Sequence, residues 1–170
     1  MSTVVHVSLE EYLNTSYEPD CDYVDGVLED RNVGQNRHSR TQTLLSGWLL
    51  AREKKHHYRV MVEQRVRVSR TRVRIPDICL ISPDDRNEVT ETAPALCVEI
   101  LSPDDCWHRI QYRLADFLKF GVPMIWIIDP YEKQAWIATP ERPATPVKDG
   151  KLRCARLNLE VGLNEILPED

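Results

Sequence analysis

Two carboxylates stand where a carboxylate is costly. Asp77 lies in the run Ile75-Pro76-Asp77-Ile78-Cys79-Leu80-Ile81 and Glu99 in Ala95-Leu96-Cys97-Val98-Glu99-Ile100-Leu101, both apolar, β-branched and of strand length. A buried, ionised carboxylate persists only when it is paired or binds a metal, so each acid demands a partner. Alternation along a strand puts Ile75, Asp77 and Cys79 on one face of the first run, and Cys97, Glu99 and Leu101 on one face of the second. If the two strands are neighbours, both carboxylates converge on one point and can share one ion.

A second chemical feature precedes the first run. Arg65, Arg67, Arg70, Arg72 and Arg74 fall within ten residues of one another, in a chain whose formal net charge is −5. The molecule as a whole has no polycation's affinity for nucleic acid, so any such binding needs a local patch of this kind. The run reads either as the exposed face of a hairpin or as a phosphate-facing surface.

The elements that must position these residues follow from periodicity. Ser8-Leu9-Glu10-Glu11 has the form of a capping box and opens a short helix that ends near Asn14. Asp25-Gly26 between Tyr23-Val24 and Val27-Leu28 predicts a hairpin, with Asp22 just before it. Leu44, Leu45, Trp48 and Leu49 recur at helical spacing in a helix from Asn36 to about Glu53, which opens beside His38. Alternation predicts one half-exposed strand over 58–68 that turns at 69–72 into the Asp77 strand. A loop at Ser102-Pro103-Asp104-Asp105 supplies N-cap candidates for a helix reaching Phe120, with Gly121 as its stop. Met124 to Ile128 and Gln134 to Ala138 read as strands joined by Asp129-Pro130-Tyr131-Glu132, and a proline-rich loop and a tail of no clear pattern follow.

Other chemistries leave no trace. The five histidines form no H-x-x-x-H or H-E-x-x-H pattern, and there is no Gly-rich phosphate loop and no G-x-S-x-G elbow. The five cysteines contain no C-x-x-C pair, and two sit in apolar strands, which reads as a reducing compartment. No signal-like leader appears, and the longest unbroken apolar run, Met124 to Ile128, is too short to span a membrane.

The ordered set of an Asp-Gly hairpin, a helix opening near a His, an Arg-rich strand, Pro76-Asp77, Val98-Glu99-Ile100-Leu101-Ser102-Pro103, a helix ending in Phe117-Leu118-Lys119-Phe120-Gly121-Val122, and Ile125-Trp126-Ile127-Ile128-Asp129-Pro130 resembles one bacterial family. That is the restriction-endonuclease-like family abundant in cyanobacteria, within the PD-(D/E)XK nuclease superfamily, and the likeness runs from about Leu9 to Ile137. The resemblance implies a Mg²⁺ ion, with Mn²⁺ a substitute, on Asp77, Glu99 and the carbonyl of Ile100, with Asp22 at the position of an additional acid. It implies substrate contact by His38. The superfamily's Lys two residues after the Glu is here Leu101, while the family's Lys on the following helix maps to Arg113, four residues before Phe117. An Arg keeps the charge and can grip a phosphate, but it cannot accept a proton.

The expectation is therefore an α/β (mixed α+β) protein with a restriction-endonuclease-like core, a mixed central sheet flanked by two main helices, forming a single domain over 1–170. Its function would be that of a Mg²⁺-dependent endonuclease acting on DNA, with Asp77, Glu99 and Arg113 catalytic and with His38, Arg65, Arg67 and Arg74 on nucleic acid. The competing reading is a catalytically silent nuclease-fold module that binds nucleic acid or serves as a scaffold. A homodimer, a cytoplasmic location and no membrane association complete the expectation.

Overall fold

Local chemistry sets the first elements of the computed structural model, which describes residues 6–31 and 34–169. Ser8 Oγ accepts from the Glu11 amide at 3.1 Å and starts α1 (Leu9–Leu13). Strands β1 (Cys21–Val24) and β2 (Val27–Asp30) meet at Asp25 and Gly26, whose φ angles of 50° and 93° are those of the mirror-image turn that matches strand twist. Helix α2 (Asn36–Leu50) and the single turn α3 (Glu53–His56) follow, then β3 (Arg59–Val62), β4 (Val66–Ser69), β5 (Arg72–Arg74), β6 (Ile78–Ile81) and β7 (Leu96–Ile100). Helix α4 (Trp107–Phe120) stops at Gly121, whose φ of 109° costs an achiral residue nothing. Strands β8 (Ile125–Asp129), β9 (Gln134–Thr139), β10 (Arg142–Pro146), β11 (Lys151–Cys154) and β12 (Leu159–Gly162) and the short α5 (Leu163–Ile166) complete the chain.

Six strands form a mixed sheet in the order β10-β9-β8-β7-β6-β3, with β7 and β8 parallel and the other pairs antiparallel. Helix α4 is the crossover between the parallel pair. Side-chain alternation gives the sheet two buried faces. Ile78, Leu80, Leu96, Val98, Trp126 and Ile128 pack with Leu45 and Leu49 of α2, while Cys79, Ile81, Cys97, Ile125 and Ile127 pack with Ile110, Leu114 and Phe117 of α4. A smaller sheet, β2-β1-β5-β4, stands beside it and carries the hairpin. The two main helices thus flank a mixed central sheet, as the sequence leads one to expect.

Three boundaries differ from the sequence reading. The 58–68 run is two strands in different sheets, because Glu63 adopts φ 52° and donates its amide to the Asp77 carbonyl at 3.2 Å, which ends β3 and turns the chain away. The Asp77 strand begins only at Ile78: Pro76 offers no N–H to a ladder, and Ile75 to Asp77 form a bend between the two sheets. Helix α4 starts at Trp107 rather than at the acids before it, since Asp105 spends Oδ2 on the Ser102 amide at 2.6 Å. The tail forms the β11–β12 hairpin and α5, whose Leu152, Val161 and Ile166 close the α2 face of the core. The five cysteines are free thiols.

Candidate active site

The register of β6 against β7 pairs Ile78 with Val98 and Cys79 with Cys97, so continuing it sets Asp77 opposite Glu99, on the face of the sheet that α4 covers. Both acids are 4% exposed. Asp22 of β1, 1% exposed, reaches the same place from the smaller sheet, and all three line one cleft of about 280 Å³ with His38, Arg74, Ile100 and Arg113.

Arg113 ties the acids together. Its Nη2 donates to Glu99 Oε2 at 2.9 Å, to Oε1 at 3.0 Å and to the Ile75 carbonyl at 2.9 Å, while Nη1 donates to Asp22 Oδ2 at 2.5 Å. Asp22 also accepts from Arg74 Nη1 at 2.9 Å and from the Ile75 amide at 3.0 Å. Asp77 accepts from Arg31 Nη2 at 2.9 Å and from the Ile100 amide at 2.6 Å, with His38 Nε2 3.5 Å from Oδ2.

These environments push the two central acids apart. Burial lifts the Glu99 carboxyl, Asp77's charge adds to the lift, and Arg113 only partly opposes it, so Glu99 is pushed up to about 7. Burial acts on Asp77 too, but His38, Arg31 and the Ile100 amide more than offset it and hold that carboxyl below its ordinary range. Burial lowers His38, and the facing Asp77 carboxylate outweighs it, raising the imidazole. Burial opposes the charge of Arg113 as well, yet Asp22 and Glu99 keep it firmly protonated.

The structure thus brings together Asp22, Asp77, Glu99, Ile100, Arg113, His38 and Arg74. Of the basic run it brings Arg72 and Arg74 to the cleft but not Arg65 or Arg67, which were expected on nucleic acid. Arg65 is half-buried, paired with Asp20 at 2.8 Å and stacked 4.5 Å over the Tyr12 ring; Arg67 pairs with Glu91 at 3.0 Å. Arg74 lines the cleft but is 2% exposed and held by Asp22, Glu29 and Asp116, so it braces the acid cluster from behind. Arg72 pairs with Asp25 and Asp116. Sequence reasoning missed Arg31, Glu29 and Asp116, whose partners lie more than 40 residues away and leave no local pattern.

A divalent cation fits this donor set in kind, since three hard carboxylates from separate segments share one cleft. Every carboxylate oxygen of the three, however, already accepts from a guanidinium, an imidazole or an amide, and among the described residues no three acid, His or Cys side chains stand ready to hold an ion. Arg113 occupies the space between Asp22 and Glu99. For those two acids to share an ion, its guanidinium must move aside.

The model of the Uma2 family, described as "Putative restriction endonuclease", matches residues 9–163. The chain belongs to the Uma2 family. Its fold is also that of a crystal structure titled a putative nuclease belonging to DUF820, from Anabaena variabilis ATCC 29413, with a TM-score of 0.83 over 94% of this chain and 97% of that one at 22% identity. No curated protein matches the sequence. Among the described residues, no helix of this Uma2 chain is long and apolar enough to cross a membrane.

Proposed function

We propose that this Uma2 chain is a Mg²⁺-dependent endonuclease that hydrolyses phosphodiester bonds of DNA, with Mn²⁺ as a substitute. The observation that supports it is the convergence of Asp22, Asp77, Glu99 and Arg113 in one cleft from four separate elements. Asp77, Glu99, the Ile100 carbonyl and Asp22 would hold the cation, which when bound offsets charge on the scissile phosphate and activates water.

The chain's own residues do the rest. Arg113, permanently charged and 14% exposed, would leave Glu99 and hold a non-bridging phosphate oxygen, where its fixed charge would favour the transition state. It cannot serve as the base. Arg74 positions Asp22, and His38, whose imidazole the Asp77 carboxylate raises, stands on the cleft wall as a further polar group. A homodimer belongs to this proposal only where the substrate is a duplex, because one cleft cuts one strand. The free thiols favour a reducing, cytoplasmic setting.

The bidentate hold of Arg113 on Glu99 favours a second reading, in which the guanidinium has permanently replaced the cation and the cleft binds nucleic acid without cutting it. Calorimetric titration with Mn²⁺ separates the two, run on the parent and on Asp77→Ala beside a cleavage assay on labelled DNA. The nuclease reading expects saturable heat and cleavage in the parent and neither in the variant. A parent without either is the silent form.

A further inference from the structure

Tyr112 is the most exposed of the large apolar side chains among the described residues, at 59%, and it lines the cleft. Its place on α4 is instructive. Ile110, Leu114 and Phe117 bury the inner face of the helix, and a residue two positions from Ile110 points nearly the opposite way. Arg109, one turn before Tyr112, also lines the cleft; its Nη2 donates to the backbone carbonyl of Asp30 at 3.3 Å, and among the described residues no carboxylate forms an ion pair with it. From depth to rim the helix therefore presents Arg113, Arg109 and Tyr112. The Tyr112 ring is steadied by His108, whose ring meets it edge-on with centroids 4.7 Å apart.

The depth of the acids restricts what can reach them. Asp77 and Glu99 are each 4% exposed at the base of a cleft of about 280 Å³, at the small end of cavities that enclose a small molecule. A B-form duplex keeps its bases stacked and paired on the inside and offers a protein its backbone and groove edges, with no free base face. A single strand can bend in and leave one base at the rim.

Resting on the reading of this cleft as a nucleic-acid site, we infer that Tyr112 is a stacking platform for an unpaired base, with Arg109 on the adjoining phosphate, and that the preferred ligand is single-stranded DNA. A flat aromatic face beside a cation matches the two parts of a nucleotide that every single strand exposes, the base face and the phosphate.

The test uses the full chain, metal chelated, and a fluorescein-labelled strand of roughly 12 nucleotides, single or annealed to its complement, read by anisotropy. The parent should bind the single strand at least about tenfold more tightly than the duplex. Tyr112→Ala should weaken single-strand binding by about tenfold or more, and Tyr112→Phe should bind like the parent, because stacking needs the ring and not the hydroxyl. Equal affinity for both forms, or unchanged binding by Tyr112→Ala, overturns the inference. The two proposals fail separately: Tyr112-dependent binding without Mn²⁺-dependent cleavage keeps the platform and removes the nuclease, whereas cleavage of duplex that Tyr112→Ala leaves intact does the reverse.

Discussion

Replacing Arg113 with alanine should destabilise the protein by an amount that grows with pH. Among the described residues, the hydrogen bonds to the Glu99 side chain come from one residue, Arg113, at 2.9 to 3.2 Å. Burial, reinforced by Asp77 and opposed by Arg113, puts Glu99 at about 7 against an ordinary 4.5. A folded value above the unfolded one means that the folded state holds more protons across that window. The stability Glu99 contributes is then fully present below about 4.5 and lost as pH rises through about 7. In the parent the loss ends there, because the ionised carboxylate has Arg113. In the variant only the weaker pull of Arg31 remains, the Glu99 pKa climbs, and the loss continues at up to about 1.4 kcal/mol per pH unit. Below this window the variant has already lost the donor to the Ile75 carbonyl and one of the two cations on Asp22, on the order of 1–3 kcal/mol. By about pH 8.5 the sum reaches roughly 3–5 kcal/mol, the range for breaking a buried pair. Urea unfolding followed by tryptophan fluorescence at about pH 6, 7 and 8.5 measures the gap between parent and variant. A gap that stays constant or narrows as pH rises refutes the reasoning.

Glu99→Gln should remove the parent's loss of stability between about pH 4.5 and 7, visible as a flatter pH profile of the unfolding midpoint. Arg65→Ala should cost about 1–3 kcal/mol, through Asp20 and the Tyr12 and Thr15 carbonyls, yet leave the salt dependence of DNA binding unchanged; a shallower salt slope would return Arg65 to the phosphate-binding surface. Arg74→Met should cost roughly 3–5 kcal/mol by thermal unfolding, since it takes one buried cation from Asp22, Glu29 and Asp116 at once and leaves Asp22 to Arg113 and Asp116 to Arg72. Gly121→Ala should cost only about 1–2 kcal/mol, because the added methyl meets nothing closer than Ala93 at 3.6 Å and the penalty is the left-handed backbone alone.

What the sequence disclosed and what it hid divide by range. The Asp25-Gly26 turn, the apolar stripes of α2 and α4 and the Gly121 stop are written in residues a few positions apart, and the structure has them. The convergence of Asp77 and Glu99 was legible because strand parity carries over from one neighbour to the next. Ion-pair partners were not legible. An Arg-rich strand looks the same whether it faces a phosphate or Asp20, Asp25, Glu91 and Asp116, and those acids come from α4 and from loops that no periodicity links to it. The break at 63–65 was hidden for a similar reason. Its cause is a tertiary bond, Glu63 amide to Asp77 carbonyl, acting on valines that would pair equally well in one continuous strand.

The same ion pairs give the arginine at position 113 its meaning. A lysine there would bring one compact charge to the two acids, whereas the planar guanidinium meets both oxygens of Glu99 and still reaches Asp22 and the Ile75 carbonyl. That reach ties the cleft walls together: Arg113 joins α4 to β1, β7 and the Pro76 bend at once, and Arg72 and Arg74 join it again through Asp116. Any cation that binds Glu99 must therefore compete with a group held by several bonds. On the nuclease proposal, this chain cuts only if a divalent ion on Asp77 and Glu99 gains more than those bonds give up.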